Sequence, residues 1–362
     1  MKILLLGFTK VKFMPYVTFY LDQIDFDKNE VHLVYWNRDL KEEDLSKYSK
    51  VHYHEFRDKM SDAISHKEKL KHFLKYRKFV IDVLSMYKFD KVISLHTLPG
   101  MLVMDKLIGQ YKRNYILDYR DSTFETNKLF GKLVRKFARN AELVFTSSDA
   151  FRKYLPTRGV EIITSHNILA DSLAHRDERK VGYIPSDKIR ISFWGLLRHL
   201  KHNLAIIDRI GSDSRFELHY YGALGMRPKI ENYCKERKIS NVFVHGEYKP
   251  DERYDFVKIT DIIHNSYKDQ NTLLAMGNKY YDGIIFRIPQ LCMPGSYMGR
   301  RCVTKGVGCQ IDPSDELFTD KLFSYYTSID WEAFNTACDD DLEDILKEYN
   351  YGINRIKEVL NQ

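Results

Sequence analysis

The chain has 362 residues, 44% of them hydrophobic and 30% charged, with 18 glycines and 9 prolines, which predicts two domains and excludes a disordered or fibrous protein. Five cysteines without a Cys-x-x-Cys exclude a disulfide framework and a zinc ribbon, and fit a reducing cytoplasm. The net charge of +7 is uneven: residues 1–170 hold 30 basic and 21 acidic side chains and the remainder 27 and 29, so the first half is expected to face an anionic partner.

The opening Met1 to Phe8 is too short for the apolar region of a signal peptide and reads as a buried strand. No stretch approaches the ~20 apolar residues of a membrane span. Further strands are predicted at Val31 to Tyr35, Val51 to Tyr53, Lys91 to Leu95, Tyr115 to Tyr119, Glu142 to Thr146 and Glu161 to Thr164, with helical patterns between most of them. The longest helical pattern, over residues 62–86, has apolar Phe73, Leu74, Phe79, Val80, Val83 and Leu84 among Lys67, Lys69, Lys71, Lys75, Arg77 and Lys78. Residues 171–188 are polar and without period, and read as a linker. A second strand series follows at Ile189 to Trp194, Phe216 to Tyr221, Val242 to His245, Asp261 to His264, Gln290 to Cys292, Arg301 to Thr304 and Gln310 to Ile311. Two Rossmann-like α/β domains are expected, 1–170 and 171–349, with residues 350–362 crossing back to the first.

Parallel sheets bind ligands beyond the carboxyl ends of their strands, where this chain places glycine and polar residues. There is no Gly-x-Gly-x-x-Gly after the first strand, no P-loop and no Gly-x-Ser-x-Gly elbow, which argues against a dehydrogenase, a P-loop kinase and a serine hydrolase. His52 and His54 share one face of a strand, but spacing places no further ligand near them, so no metal is assigned. Asp25-Phe26-Asp27 and Asp339 to Asp341 read as solvated charge. After the strand ending at Trp194 come Gly195, Arg198 and Lys201, a close backbone approach with cations suited to phosphate. The basic, amphipathic Lys128 to Arg139, with Leu129, Phe130, Leu133, Val134 and Phe137 interleaved, suits an anionic membrane surface or, equally, packing of its apolar side into the core.

The order Tyr221-Gly222, His245-Gly246-Glu247-Tyr248 and Asn278-Lys279-Tyr280-Tyr281-Asp282, with Pro289 seven positions after Asp282, resembles the nucleotide-sugar half of retaining GT-B glycosyltransferases, in the large family that includes capsule and exopolysaccharide enzymes. Asp118-Tyr119-Arg120-Asp121 resembles that family's Arg-Asp motif, and Ser147 to Pro156 with Ser165-His166-Asn167 resembles a pattern of capsule-cluster members. The resemblance implies a GT-B fold whose two parallel sheets face a central cleft. It implies a donor site of Gly195, Arg198, Lys201, Gly222, Gly246, Tyr248, Asn278, Lys279 and Asp282, with Asp282 on the ribose hydroxyls. The first of the relatives' two glutamates falls at Leu274, so sugar contacts are expected from groups between Tyr267 and Asn278.

On the acceptor side the resemblance implies Gly7, Thr9 and Lys10, with Asp121 orienting or deprotonating the acceptor hydroxyl beside Arg120 and His96. It implies no metal and no cofactor besides the nucleotide diphosphate-sugar substrate, because fixed cations meet the leaving-group charge. The expected activity is retaining transfer of a sugar, from UDP first among donors, to a lipid-linked or saccharide acceptor in bacterial surface polysaccharide synthesis. The expected location is cytoplasmic, at the membrane's inner face. A sugar-nucleotide epimerase of the same fold is the rival enzyme. A basic nucleic-acid-binding protein is the rival of another class, and no nucleic-acid motif supports it.

Overall fold

The computed structural model describes residues 1–61, 64–178, 187–222 and 225–361. The strands are β1 (Lys2–Leu6), β2 (Glu30–Asn37), β3 (His52–Arg57), β4 (Lys91–Leu95), β5 (Tyr115–Tyr119), β6 (Leu143–Thr146), β7 (Glu161–Thr164), β8 (Ile189–Trp194), β9 (Phe216–Tyr221), β10 (Val242–Gly246), β11 (Ile262–Asn265), β12 (Gln290–Cys292) and β13 (Gly308–Gln310). They form two wholly parallel sheets, ordered β3-β2-β1-β4-β5-β6-β7 and β10-β9-β8-β11-β12-β13. β1, β4, β5 and β6 are almost continuously apolar because helices cover both faces, and nearly all their side chains are buried.

The chain divides into two compact units, Met1–His166 with Lys347–Gln362, and Asn167–Leu346. The thirty-residue helix Trp331–Leu360 supplies the tail of both. In the first unit its Ile356, Val359 and Leu360 join a core with Ile3, Leu5, Phe19, Ile93 and Phe145. Gly352 permits this approach, since a Cβ there would lie 3.2 Å from the Phe19 ring and 3.3 Å from that of Phe145.

Local chemistry sets the helix ends. Ser65 and Glu68 form a reciprocal capping box at the head of His66–Met86. That helix turns Tyr76, Val80, Val83 and Leu84 inward and leaves Leu74, read as part of its apolar stripe, exposed. Helix Lys128–Asn140 is capped by Asn127, whose side chain accepts from the amides of Leu129 and Phe130. It buries Gly131, Val134, Phe137 and Ala138, while Leu129 is 68% and Leu133 39% exposed.

Three expectations change. Arg301 to Thr304 is helical, within Tyr297–Lys305, because Ser296 caps the amide of Gly299 at 3.0 Å and Gly306 (φ 76°) stops the helix in the left-handed conformation. The supposed linker begins as a short helix, Ala170–Ala174, and a 3-10 turn, Arg176–Glu178, while 179–186 lie outside the described residues. Asp341 is fully buried, not solvated, taking Arg301 at 2.6 Å and the Tyr280 hydroxyl, and Asp339 takes a two-point contact from Arg287 at 2.8 and 2.9 Å. All five cysteines are buried and free. Among the described residues no helix is long and apolar enough to cross a membrane.

Candidate functional site

In the second unit three neighbouring strands, β10, β9 and β8, lead into Gly246 (φ 91°), Gly222 (φ 125°) and Gly195 (φ 111°) at one edge. The Gly195 amide donates to the Tyr221 carbonyl at 3.0 Å and the Gly222 amide to the Gly246 carbonyl at 2.6 Å. A Cβ at Gly222 would overlap the Gly195 carbonyl, so the glycine is required twice, by conformation and by space. The edge is therefore backbone without side chains, Gly195 and Gly246 half-buried and Gly222 buried between them.

Beyond Gly195 the chain reaches helix Leu200–Gly211 through His199, held at φ 61°. Asn203 pins this loop: its amide donates to the Arg198 carbonyl at 2.8 Å, and its oxygen accepts from the Tyr220 hydroxyl at 3.2 Å and pairs with His264 Nε2 at 3.0 Å. Arg198 and Lys201 are left exposed. Lys201 lines a hollow of about 590 Å³ with His199, His202, Lys268, Asp312 and Ser314, an environment suited to an anion. A second hollow of about 360 Å³ lies past Gly246, lined by Tyr221, His245, Tyr248 and Phe256 together with Glu247, Glu252 and Asp255. Tyr221 stacks on Phe256 at 4.1 Å and on His245 at 4.3 Å, a wall suited to a flat ring.

Helix Asn278–Ile285 starts behind Gly277, with Asn278 exposed and Lys279 to Ile285 buried. The Lys279 ammonium donates to the Trp194 carbonyl at 3.2 Å and lies 4.2 Å over the Phe193 ring. Burial pushes its pKa down to about 7, and Asp282 offsets part of that. Asp282 accepts the Trp194 indole proton at 2.9 Å, and its other oxygen is 3.9 Å from Arg253. Burial pushes the Asp282 carboxyl up, against the pull of Arg253, the indole and Lys279. Both residues thus hold the end of β8. Trp194, Arg253 and Asn203 were not singled out from sequence, although an indole directly before a strand-end glycine was a readable signal.

In the first unit β1, β4 and β5 are neighbours, so Gly7, His96 and Arg120-Asp121 share one sheet edge. His96 is held at φ 98°, a strained conformation for a residue with a Cβ. Its Nδ1 accepts from the Leu98 amide at 3.4 Å, and Nε2 stands 3.9 Å from Asp121. Burial pushes the imidazole pKa down, opposed by Asp121 and Asp118. Arg120 pairs at 2.7 Å with the fully buried Asp118 and stacks over Tyr16 at 4.6 Å; Asp121 is exposed. The Gly7 carbonyl accepts from Tyr76 at 2.5 Å, and Thr9 is half-buried. Lys10, 2% exposed, turns inward to Asp39 and the Lys41 carbonyl.

No family model matches the chain, and no curated protein matches it by sequence. Solved structures do match it in fold. It resembles sucrose-phosphate synthase from Thermosynechococcus elongatus (TM-score 0.70, 12% identity, 100% of this chain and 98% of that one). It also resembles an alpha,alpha-trehalose-phosphate synthase (UDP-forming) from Burkholderia vietnamiensis (TM-score 0.72, 7% identity, all of both chains). A third likeness is to Anabaena HepE in complex with UDP and glucose (TM-score 0.64, 12% identity, all of both chains). With its two parallel-sheet units, the chain has the GT-B fold of these proteins.

Proposed function

We propose that the protein is a glycosyltransferase that moves a sugar from a nucleotide diphosphate-sugar, UDP-linked by preference, to a lipid-linked or saccharide acceptor of bacterial surface polysaccharide synthesis, with retention of configuration. The observation that carries this reading is the row of strand-end glycines, Gly246, Gly222 and Gly195, between a hollow walled by Tyr221, Tyr248 and Phe256 and one that Lys201 and Lys268 line. A nucleotide diphosphate has the same succession of chemistry, a flat base and then two charged phosphates. HepE, which shares the fold, was solved with UDP and glucose. In this reading Tyr248 and its neighbours take the base. The diphosphate meets Arg198 and Lys201 beside the strand-end glycines, and Lys279 answers the charge that develops as the glycosidic bond breaks, so the transfer step calls for no metal. Asp282 orders the site through its bond to the Trp194 indole. His96 and Asp121 serve the acceptor hydroxyl, Asp121 as the group that accepts its proton and Arg120 as the group that fixes Asp118.

The outer face of Lys128–Asn140, with Leu129 and Leu133 exposed among Lys128, Lys132, Lys136 and Arg139, supports docking on anionic lipid, where a lipid-linked acceptor resides. Thermal stabilisation across UDP, GDP, ADP, CMP and their sugar conjugates tests the donor class, since a ligand at 100 times its Kd adds about 2.7 kcal/mol. A shift with one nucleotide sustains the reading. No shift with any of them, from folded protein, refutes it. An epimerase of this fold would turn over the same donor without any acceptor.

A further inference from the structure

We propose that the first unit carries a zinc site built from Glu30, His32 and His52, where β2 and the edge strand β3 begin. Spacing along the chain brought only His52 and His54 together. The parallel register supplies the rest, because His32 of β2 stands directly beside His52 of β3, two positions on from Glu30 on the same strand face. One ligand atom from each of Glu30, His32 and His52 lies within 4.8 Å of the others, and among the described residues this is the one such group of three. Ligand atoms around tetrahedral zinc, each about 2.0–2.2 Å from the ion, stand roughly 3.4 Å apart. Small rotations of the exposed Glu30 and His52 close the difference.

The surroundings match what a metal-bound histidine needs. His32 is 1% exposed and its ring is fixed at both nitrogens: Nε2 is 2.7 Å from Glu30 Oε1 and Nδ1 is 2.8 Å from His54 Nε2. Without metal, Nε2–H donates to Glu30 and Nδ1 accepts from His54; with zinc bound the His32 proton sits on Nδ1, which donates to His54, and the Nε2 lone pair faces the ion. This is the outer-shell arrangement that orients a zinc-bound imidazole. Lys2 holds the other carboxylate oxygen of Glu30 at 3.0 Å, which leaves Oε1 as a single-oxygen ligand. Two imidazoles and a carboxylate, with a fourth position open to water, suit zinc among divalent cations.

The second unit contains its own control. There Glu217 and His219 lie two apart on β9, with Nε2 of His219 3.4 Å from Glu217 and Nδ1 3.0 Å from His245 on the edge strand β10. The relay is the same, but the register partner of His219 is Phe243 where that of His32 is His52. The relay alone is thus a structural motif, and His52 completes a ligand set.

The test uses tag-free, full-length protein stripped with a chelator and dialysed against zinc chloride, with bound metal measured by mass spectrometry and affinity by calorimetry. The expected result is one zinc ion per chain and a raised melting temperature. His52→Phe, which copies the second unit, and Glu30→Gln each weaken binding at least about 100-fold, and His54→Ala weakens it about 10- to 100-fold. Both ligand changes fall at exposed positions, and circular dichroism of the metal-free variants checks that the fold is kept. Absence of zinc binding below about 100 µM, or binding unchanged in both His52→Phe and Glu30→Gln, overturns the proposal. Nucleotide binding, read in the same samples, is expected to be indifferent to zinc.

Discussion

Binding of a nucleotide diphosphate should carry a proton with it, and the proton should end on Lys279. In the free chain burial holds this lysine at a pKa of about 7, a penalty of about 5 kcal/mol on the ammonium relative to an ordinary lysine. A diphosphate at the head of helix Asn278–Ile285 supplies the counter-charge that burial withholds, and so raises the pKa in the complex. At pH 8 a group of pKa 7 is largely neutral, so each binding event takes up about 0.9 proton. Affinity then falls about tenfold per pH unit from pH 7 up to the pKa of the complex and is flat below pH 7, where the ammonium is already present. Calorimetry at pH 8 in HEPES and in Tris, whose ionisation enthalpies differ, reads the uptake directly, with UDP-glucose as the ligand because its phosphates do not titrate there. Lys279→Met removes the uptake. Saturable binding without uptake in the native chain, or the same uptake in Lys279→Met, refutes the assignment.

The same lysine sets a stability trend. Its folded pKa lies below its unfolded one, so its penalty is complete below pH 7 and relaxes as pH rises toward 10.5; denaturant melts should show Lys279→Met gaining about 2–3 kcal/mol more at pH 6 than at pH 9. Asp282→Ala strands the Trp194 indole and leaves Arg253 and Lys279 without their carboxylate, at a cost of about 3–5 kcal/mol; Asp282→Asn keeps an acceptor for the indole and should cost less in the same urea titration. Gly222→Ala drives a methyl into the Gly195 carbonyl at a φ of 125°, so it should lose about 1–3 kcal/mol and its nucleotide-dependent thermal shift. Leu129→Glu with Leu133→Glu should abolish flotation with phosphatidylglycerol vesicles and leave the melting temperature unchanged, since both side chains are exposed.

Much of the architecture could be read before the structure was known, because buried parallel strands advertise themselves as short apolar runs. β4 and β5 fall where such runs begin and end. The strand-end glycines were readable too, but not that three of them belong to adjacent strands, since sheet order is absent from chain order. Arg301 to Thr304 looked like a strand because its local composition is ambiguous, and the capping serine before it and the left-handed glycine after it decided for a helix. The acidic tract at Asp339 to Asp341 looked solvated because nothing nearby in sequence announces Arg287 and Arg301, which approach through tertiary packing. The inward turn of Lys10 and Asp282 has the same origin: residue type sets what a side chain can do, and partners far along the chain decide which way it faces. The cluster at Glu30, His32 and His52 depends on cross-strand register, which one sequence does not display.

The shared helix Trp331–Leu360 has a consequence for synthesis. Strands β1–β7 leave the ribosome in sequence, yet the core they build also requires Ile356, Val359 and Leu360. At about 5–20 residues per second, the first unit waits on the order of ten seconds or more for its last pieces while the second unit is made. Its core lacks these three side chains throughout that interval, so the order of birth and the order of completion are reversed. The unit begun first is finished last.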